Sequence, residues 1–133
     1  MDNREKSVEY EMIGMELIAD EPELRHIFNS DVRIAFLSSD KAMKHNGGNV
    51  LGQCEKIQDK YKWAIPYDFT ITIFEPNVER LSEEQLRIVL FHELLHVGIG
   101  RDLNGDEKYT VIGHDIEDFK TIIKRYGIDW SAI

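Results

Sequence analysis

The sequence predicts an α+β fold in which a small mixed sheet packs against one central helix and several flanking helices. The run FTITIF (Phe69–Phe74) is β-branched or aromatic at every position, which is typical of a strand. A second apolar, β-prone run, VRIAFL (Val32–Leu37), predicts another strand. Ser82 and Gln85 have the spacing of a capping box, and the nearly continuous apolar residues after them predict a buried helix as far as about Val97.

A further helix is predicted near the N-terminus, over residues 4–20. Its apolar residues recur at helical spacing and form one stripe, made of Val8, Met12, Met15 and Ala19 and widened by Ile13, Leu17 and Ile18. The chain of 133 residues is long enough for one domain with one core. We therefore expect a single domain over residues 1–133, with residues 1–29 as an N-terminal helical extension and residues 30–126 as the core.

The remaining predicted elements are shorter or weaker. Residues 50–57 alternate loosely in polarity, which predicts a weak strand and a candidate sheet edge. Residues 108–112 predict a short strand, and residues 114–126 predict a last helix with an apolar inner face. The order of helix, strands, helix, short strand and helix leads to the α+β class.

Charge and cysteine content narrow the function classes. Sixteen basic and twenty-five acidic residues give a net charge of -9, which argues against a nucleic-acid partner. Cys54 is the single cysteine, so an internal disulfide is excluded and a reducing compartment is favoured. No apolar run approaches the ~20 residues that span a bilayer, and the first twelve residues do not look like a signal peptide. We expect a cytoplasmic protein with no membrane partner.

The segment FHELLHVGIG contains an H-E-x-x-H motif within the predicted active-site helix. His92 and His96 are four residues apart, so both imidazoles can lie on one helix face and bind one metal ion, and zinc accepts such nitrogens. Glu93 is turned by about 100° around the helix axis, which suits a general base rather than a ligand. With three protein ligands, zinc keeps its fourth position for water and activates it. Glu93 would take the proton and pass it to the leaving amine.

The third ligand has three candidates. His114 is favoured because it opens the last predicted helix, where the helix dipole keeps an imidazole neutral and able to bind metal. Glu117 follows one turn later and would suit a glutamate-type site. Asp102 lies six residues after His96, where the motif H-E-x-x-H-x-x-G-x-x-H has its last ligand. That motif requires glycine at position 99, and this sequence has Ile99 there.

Four stretches in order resemble the putative phage metallopeptidase family, small zincin-like domains of phages and prophages. They are YDFTITIF, FHELLHVG, a turn rich in Gly and Asp, and HDIEDF (His114–Phe119), and the resemblance covers about residues 30–125. It implies a zincin-like fold in which His92, His96 and His114 bind zinc and Glu93 is the base. It also implies a peptide or protein substrate, and a phage or host protein as partner.

The leading interpretation is a zinc-dependent metallopeptidase with one Zn2+ per chain, although imidazole ligands also accept Mn, Fe and Co. The strand before the active-site helix would offer its edge to an extended peptide. The alternative is a non-catalytic zincin-fold module that binds metal or protein. Glu93 argues against it, because a structural zinc site needs no base and prefers four protein ligands. A metal-free helical interaction protein would require both the motif and HDIEDF to be accidents.

Overall fold

The computed structural model of the protein describes residues 2–113. The predicted helix over residues 114–126 lies outside the described residues, and so do His114 and Glu117. Within residues 2–113, no helix has the length and apolar character that crossing a membrane requires.

The described elements are short strands and helices. In chain order they are β1 (Arg4–Lys6), α1 (Val8–Asp20), α2 (Arg25–Phe28), β2 (Ile34–Ser39), β3 (Lys44–His45), β4 (Gly48–Asn49), β5 (Gly52–Lys56), β6 (Phe69–Phe74), α3 (Glu75–Val78), α4 (Glu83–Leu94), β7 (Val97–Arg101) and β8 (Glu107–Val111). Four strands form one sheet in the order β1-β2-β6-β5, while β3–β4 and β7–β8 are separate two-stranded sheets. β2 and β6 are parallel and the other pairs of the large sheet are antiparallel. The predicted fold class, a small mixed sheet packed against helices, is confirmed.

The sheet packs its helices on one face. Gly14 of α1 lies against the ring of Phe36 in β2, and Glu93 of α4 lies against Gly52 in β5. Phe36 and Gly52 are paired in register with Ile71 and Ile73 of β6. Because side chains two residues apart share one face of a strand, α1 and α4 cover the same face of the sheet.

The central strand is β6, whose core-facing residues are fully buried. Both of its edges are hydrogen-bonded, one to β2 and the other to β5. The prediction that this strand offers its edge to a peptide is therefore wrong. Among the strands of residues 2–113, β5 lies at one end of the large sheet, so the prediction of a weak edge strand over residues 50–57 is confirmed.

The N-terminal segment begins with a strand that the sequence did not predict. β1 reads REK, which carries no apolar alternation, and it forms through pairing with β2. α1 then starts at Val8, where the side chain of Ser7 accepts a hydrogen bond from the backbone N–H of Tyr10. The predicted helix over residues 4–20 is thus shorter at its start, because its first turn belongs to the sheet.

The predicted apolar stripe of α1 divides in two. Leu17 and Ile18, which were expected to widen it, belong to the buried face together with Tyr10 and Gly14. Val8, Met12 and Met15 are exposed. Tyr10 and Leu17 join the same hydrophobic core as β6 and α4, so residues on both sides of position 30 share one core. The division of the domain at residue 30 stays a prediction.

α4 has the predicted capping box but ends earlier than predicted. The Ser82 hydroxyl accepts from the backbone of Gln85, and the Gln85 side chain accepts from the backbone N–H of Ser82. The helix ends at Leu94 rather than Val97, because Val97 is already paired with Val111 in the β7–β8 hairpin. Pairing with a strand that lies ten or more residues further along the chain overrides the local apolar pattern.

Candidate metal centre

The two histidines of the motif remain neighbours although the helix ends between them. His92 lies in the last turn of α4, and His96 lies in the turn that follows. The backbone N–H groups of Leu95 and His96 donate to the carbonyls of Phe91 and Glu93, at 3.0 and 3.1 Å, so the chain continues almost as a helix. The imidazole centroids lie 5.3 Å apart with the rings at 69°. Two side chains at this separation can contribute to one site.

The imidazole of His96 is oriented by the backbone after β8. Its Nδ1 lies 2.5 Å from the carbonyl oxygen of Ile112, and the Ile112 N–H donates to the His96 carbonyl at 2.7 Å. A carbonyl oxygen only accepts, so Nδ1 carries the proton. The lone pair is then on Nε2, which is the tautomer that a metal-ligating histidine needs.

Glu93 is buried beside the first histidine. The residue is 6% exposed, and its Oε2 lies 4.0 Å from Nε2 of His92. On the other side β5 passes close by, since a Cβ added to Gly52 would lie 3.0 Å from Cγ of Glu93. The glycine therefore provides the space in which the carboxylate lies. A glycine inside a predicted strand is a sequence signal that another part of the chain approaches the backbone closely.

The single cysteine lies near this carboxylate but is not activated. Cys54 is two residues after Gly52 and so lies on the same face of β5. Burial raises the pKa of its thiol well above the ordinary value, and the negative charges of Glu93 and Glu55 raise it further. The group is a protonated thiol at neutral pH and therefore a poor nucleophile.

Two other histidines lie away from the motif. Nε2 of His26 lies 2.9 Å from the carbonyl oxygen of Val97 and so holds the start of β7. His45 is exposed on the β3–β4 hairpin. Neither joins His92 and His96.

The hydroxyl of Tyr109 donates to Glu107 at 2.6 Å, and its ring packs edge-on against Phe69.

The third ligand is not found within residues 2–113, where no three His, Cys, Asp or Glu residues are grouped to hold an ion. Asp102 follows the five-residue strand β7 and His96 precedes it, so the two residues are roughly 20 Å apart at the usual rise per residue. Its carboxylate accepts from the backbone N–H groups of Asn104 and Asp106 and closes the hairpin turn. The structure therefore argues against Asp102. His114 and Glu117 lie beyond the described residues.

One comparison with known proteins gives a match. The family model described as Putative phage metallopeptidase matches residues 2–133. The chain belongs to the putative phage metallopeptidase family. The family name suggests a metal-dependent hydrolase of peptide bonds, and the match includes the N-terminal residues, which lie outside the four stretches that carry the resemblance. No curated protein and no solved structure matches the chain.

Proposed function

We propose that the protein is a zinc-dependent metallopeptidase in which His92, His96 and His114 hold the ion and Glu93 is the general base. The observation that carries the proposal is the contact between Nδ1 of His96 and the carbonyl of Ile112. This contact selects the tautomer whose lone pair is on Nε2, and the buried carboxylate of Glu93 lies 4.0 Å from Nε2 of His92. A helix that only packs would need neither feature.

Chain connectivity supports His114 as the third ligand. The backbone of Ile112 is bound to His96 through two hydrogen bonds, and His114 is two residues later in the sequence. Consecutive Cα atoms are 3.80 Å apart, so the Cα of residue 114 cannot be more than about 7.6 Å from that of Ile112. Glu117 has three more residues of chain and stays the second candidate.

The chain's own residues supply the proton transfers. A zinc ion bound here would act as a Lewis acid toward water and the substrate carbonyl. Glu93 accepts the proton that the attacking water loses and delivers it to the nitrogen of the leaving amine. Its burial between α4 and β5 keeps bulk water away from the carboxylate, which strengthens its interactions with charge in the site.

We further propose that a peptide or protein substrate binds along the outer edge of β5. Among the described strands β5 pairs only with β6, and Gly52 at its start lies against Glu93. An extended peptide that adds to this edge would pass beside the general base. The edge strand thus takes the role that the sequence had suggested for β6.

Metal analysis tests the site directly. We would measure zinc by mass spectrometry on wild type, His92→Ala, His114→Ala and the control His45→Ala, all purified without added metal. The proposal expects about one zinc per chain in wild type and His45→Ala, and loss in the other two. Wild type that stays free of metal after zinc is offered would refute it. Zinc lost in His92→Ala but kept in His114→Ala would move the third ligand to Glu117.

Catalysis is tested by Glu93→Gln, which keeps the shape of the side chain and removes the base. The variant should keep its zinc and lose hydrolysis of an unstructured protein substrate by about 10²- to 10⁴-fold. If the variant hydrolysed as fast as wild type, Glu93 would not be the base. If zinc-loaded wild type cleaved no substrate, the non-catalytic binding module would be the better interpretation.

A further inference from the structure

Helix α1 carries apolar residues on two opposite faces. The buried face is Tyr10, Gly14, Leu17 and Ile18. The second face, which we name the outer stripe, is Val8, Met12, Met15 and Ala19. Val8 is 73% exposed, Met12 68% and Met15 54%, and Ala19 is also exposed. At 3.6 residues per turn, the centres of the two faces lie about 145° apart around the helix axis.

The outer stripe has the spacing of a coiled-coil seam. Its residues are separated by four, three and four positions, which is the d-a-d-a pattern of a heptad repeat. A scattered exposed apolar residue is ordinary, but a seam at this period on one helix face is what a partner helix packs against.

The seam is bordered by acidic residues. Glu9, Glu11 and Glu16 fall on the flanking e and g positions, and α1 contains no Lys or Arg. Glu16 lies 2.9 Å from Arg87, yet its side chain stays 60% exposed. A partner helix with basic flanks would therefore find complementary charges on both sides of the seam.

A small cavity continues the seam at its C-terminal end. It has a volume of about 190 Å³, and Phe28 in its wall is 62% exposed. Its lining is half apolar and half polar: Ile18, Ala19, Phe28, Glu21, Arg25 and Asn29. The volume is below the ~300–1,000 Å³ typical of small-molecule sites. It suits a single anchoring side chain from a protein partner.

We propose that the outer stripe docks a basic amphipathic helix of another protein. The partner would place an apolar seam on Met12 and Met15 and Lys or Arg residues opposite Glu9 and Glu11. A second copy of this chain is disfavoured, because a symmetric helix pair would bring acidic flanks against acidic flanks. The surface is separate from the metal centre, so this proposal does not depend on the proposed peptidase activity.

Two designed peptides test the proposal on the full-length protein. Both have Leu at every a and d position over four heptads, one with Lys and the other with Glu at every e and g position. Fluorescence anisotropy of the labelled peptides should show binding of the Lys peptide at least tenfold tighter than the Glu peptide. The affinity for the Lys peptide should fall as salt is raised. Equal binding of both peptides, or of neither, would overturn the proposal.

Variants locate the binding site. Met12→Asn/Met15→Asn should weaken binding of the Lys peptide by about tenfold or more. Leu103→Asn is the matched control, since Leu103 is fully exposed on the β7–β8 hairpin, and it should bind as wild type does. If Leu103→Asn lost binding and the double variant kept it, the outer stripe would not be the site.

Charge reversal tests which partner the seam selects. Glu9→Lys/Glu11→Lys should shift the preference toward the Glu peptide, because the flanks of the seam then carry the opposite charge. Circular dichroism checks that each variant is folded. Sedimentation of wild type should show a monomer. A dimer that Met12→Asn/Met15→Asn dissolves would mean that the seam serves a second copy, and would overturn the basic-helix proposal.

Discussion

At the residue scale, the candidate metal centre depends on a backbone atom outside the motif. The carbonyl oxygen of Ile112 selects the tautomer of His96, and β8 carries it there through its pairing with β7. Gly98 allows β7 and β8 to approach each other closely, because a Cβ at that position would lie 2.5 Å from Oγ1 of Thr110 and 3.0 Å from its carbonyl oxygen. The tautomer of His96 is therefore linked to the space beside Gly98 in β7.

Gly98→Ala should weaken both the hairpin and the metal site. The added methyl group has to push Thr110 away, which we expect to lower the free energy of unfolding by about 1–3 kcal/mol. Displacement of Ile112 should weaken zinc binding by about 10-fold or more, as loss of an orienting hydrogen bond does. Chemical denaturation and zinc titration measure the two effects.

The matched control is Gly100→Ala in the same strand. A Cβ at Gly100 meets nothing within 4 Å, so its stability and zinc affinity should stay close to those of wild type. If Gly98→Ala behaved like Gly100→Ala, the close contact with Thr110 would not control the position of Ile112.

At the element scale, β1 is joined to the sheet by one side chain that crosses two strands. Nη1 of Arg4 donates to Thr72 in β6 and to Glu55 in β5, both at 3.1 Å, and Arg4 also pairs with Asp2 at 2.9 Å. Its guanidinium lies 5.6 Å from the centre of the Phe74 ring. These contacts explain how a strand of three polar residues holds its place at the sheet edge.

Arg4→Met should lower the free energy of unfolding by about 1–2 kcal/mol, because it keeps an apolar stem and removes the guanidinium. Glu5→Gln is the control on the same exposed strand and should change little. Urea denaturation of both variants measures the difference. Equal stability of Arg4→Met and wild type would show that the backbone pairing of β1 with β2 is sufficient.

The same contact predicts how stability depends on pH. Arg4, and then the hydroxyl of Ser39, lower the pKa of Asp2 from 3.8 to about 2. Because the folded state binds the proton more weakly, this contribution to stability is present above pH ~4 and is lost as the pH falls toward 2. Between pH 4 and 2, wild type should lose more stability than Asp2→Asn in urea titrations. Parallel curves would contradict the assignment.

At the scale of the whole molecule, metal binding and folding should be coupled. The proposed ligands come from α4, from the turn after it and from the segment after β8, so they are brought together only in the folded chain. Zinc at about 100 times its Kd should add about 2.7 kcal/mol to the free energy of unfolding.

The expected cytoplasmic location stays a prediction.

Thermal denaturation with zinc and with a chelator tests this coupling. The midpoint of wild type should be several degrees higher with zinc, and His92→Ala should show no difference between the two conditions. Met12→Asn/Met15→Asn should keep the full zinc effect, since the outer stripe is separate from the site. A zinc effect that persisted in His92→Ala would mean that the ion stabilises the fold from another position.

Much of the fold and part of the site follow from local patterns. The capping box links residues only three apart, and the strand Phe69–Phe74 is marked by its own composition. The H-E-x-x-H motif likewise needs only one helical turn to bring His92 and His96 together. The predicted strand over residues 108–112 was found one residue earlier, at Glu107–Val111.

Local patterns predict the fold class, the strand Phe69–Phe74, the start of α4 and the two histidines with the acid between them, because each of these signals lies within a short stretch of the chain. Packing between distant parts of the chain sets the end of α4 at Leu94, the place of β1 in the sheet and the orientation of His96 by Ile112. It also decided which apolar face of α1 is buried, since both faces have helical spacing and only packing against Phe36 distinguishes them. These outcomes depend on contacts between residues far apart in the chain, and a local pattern carries no information about such partners.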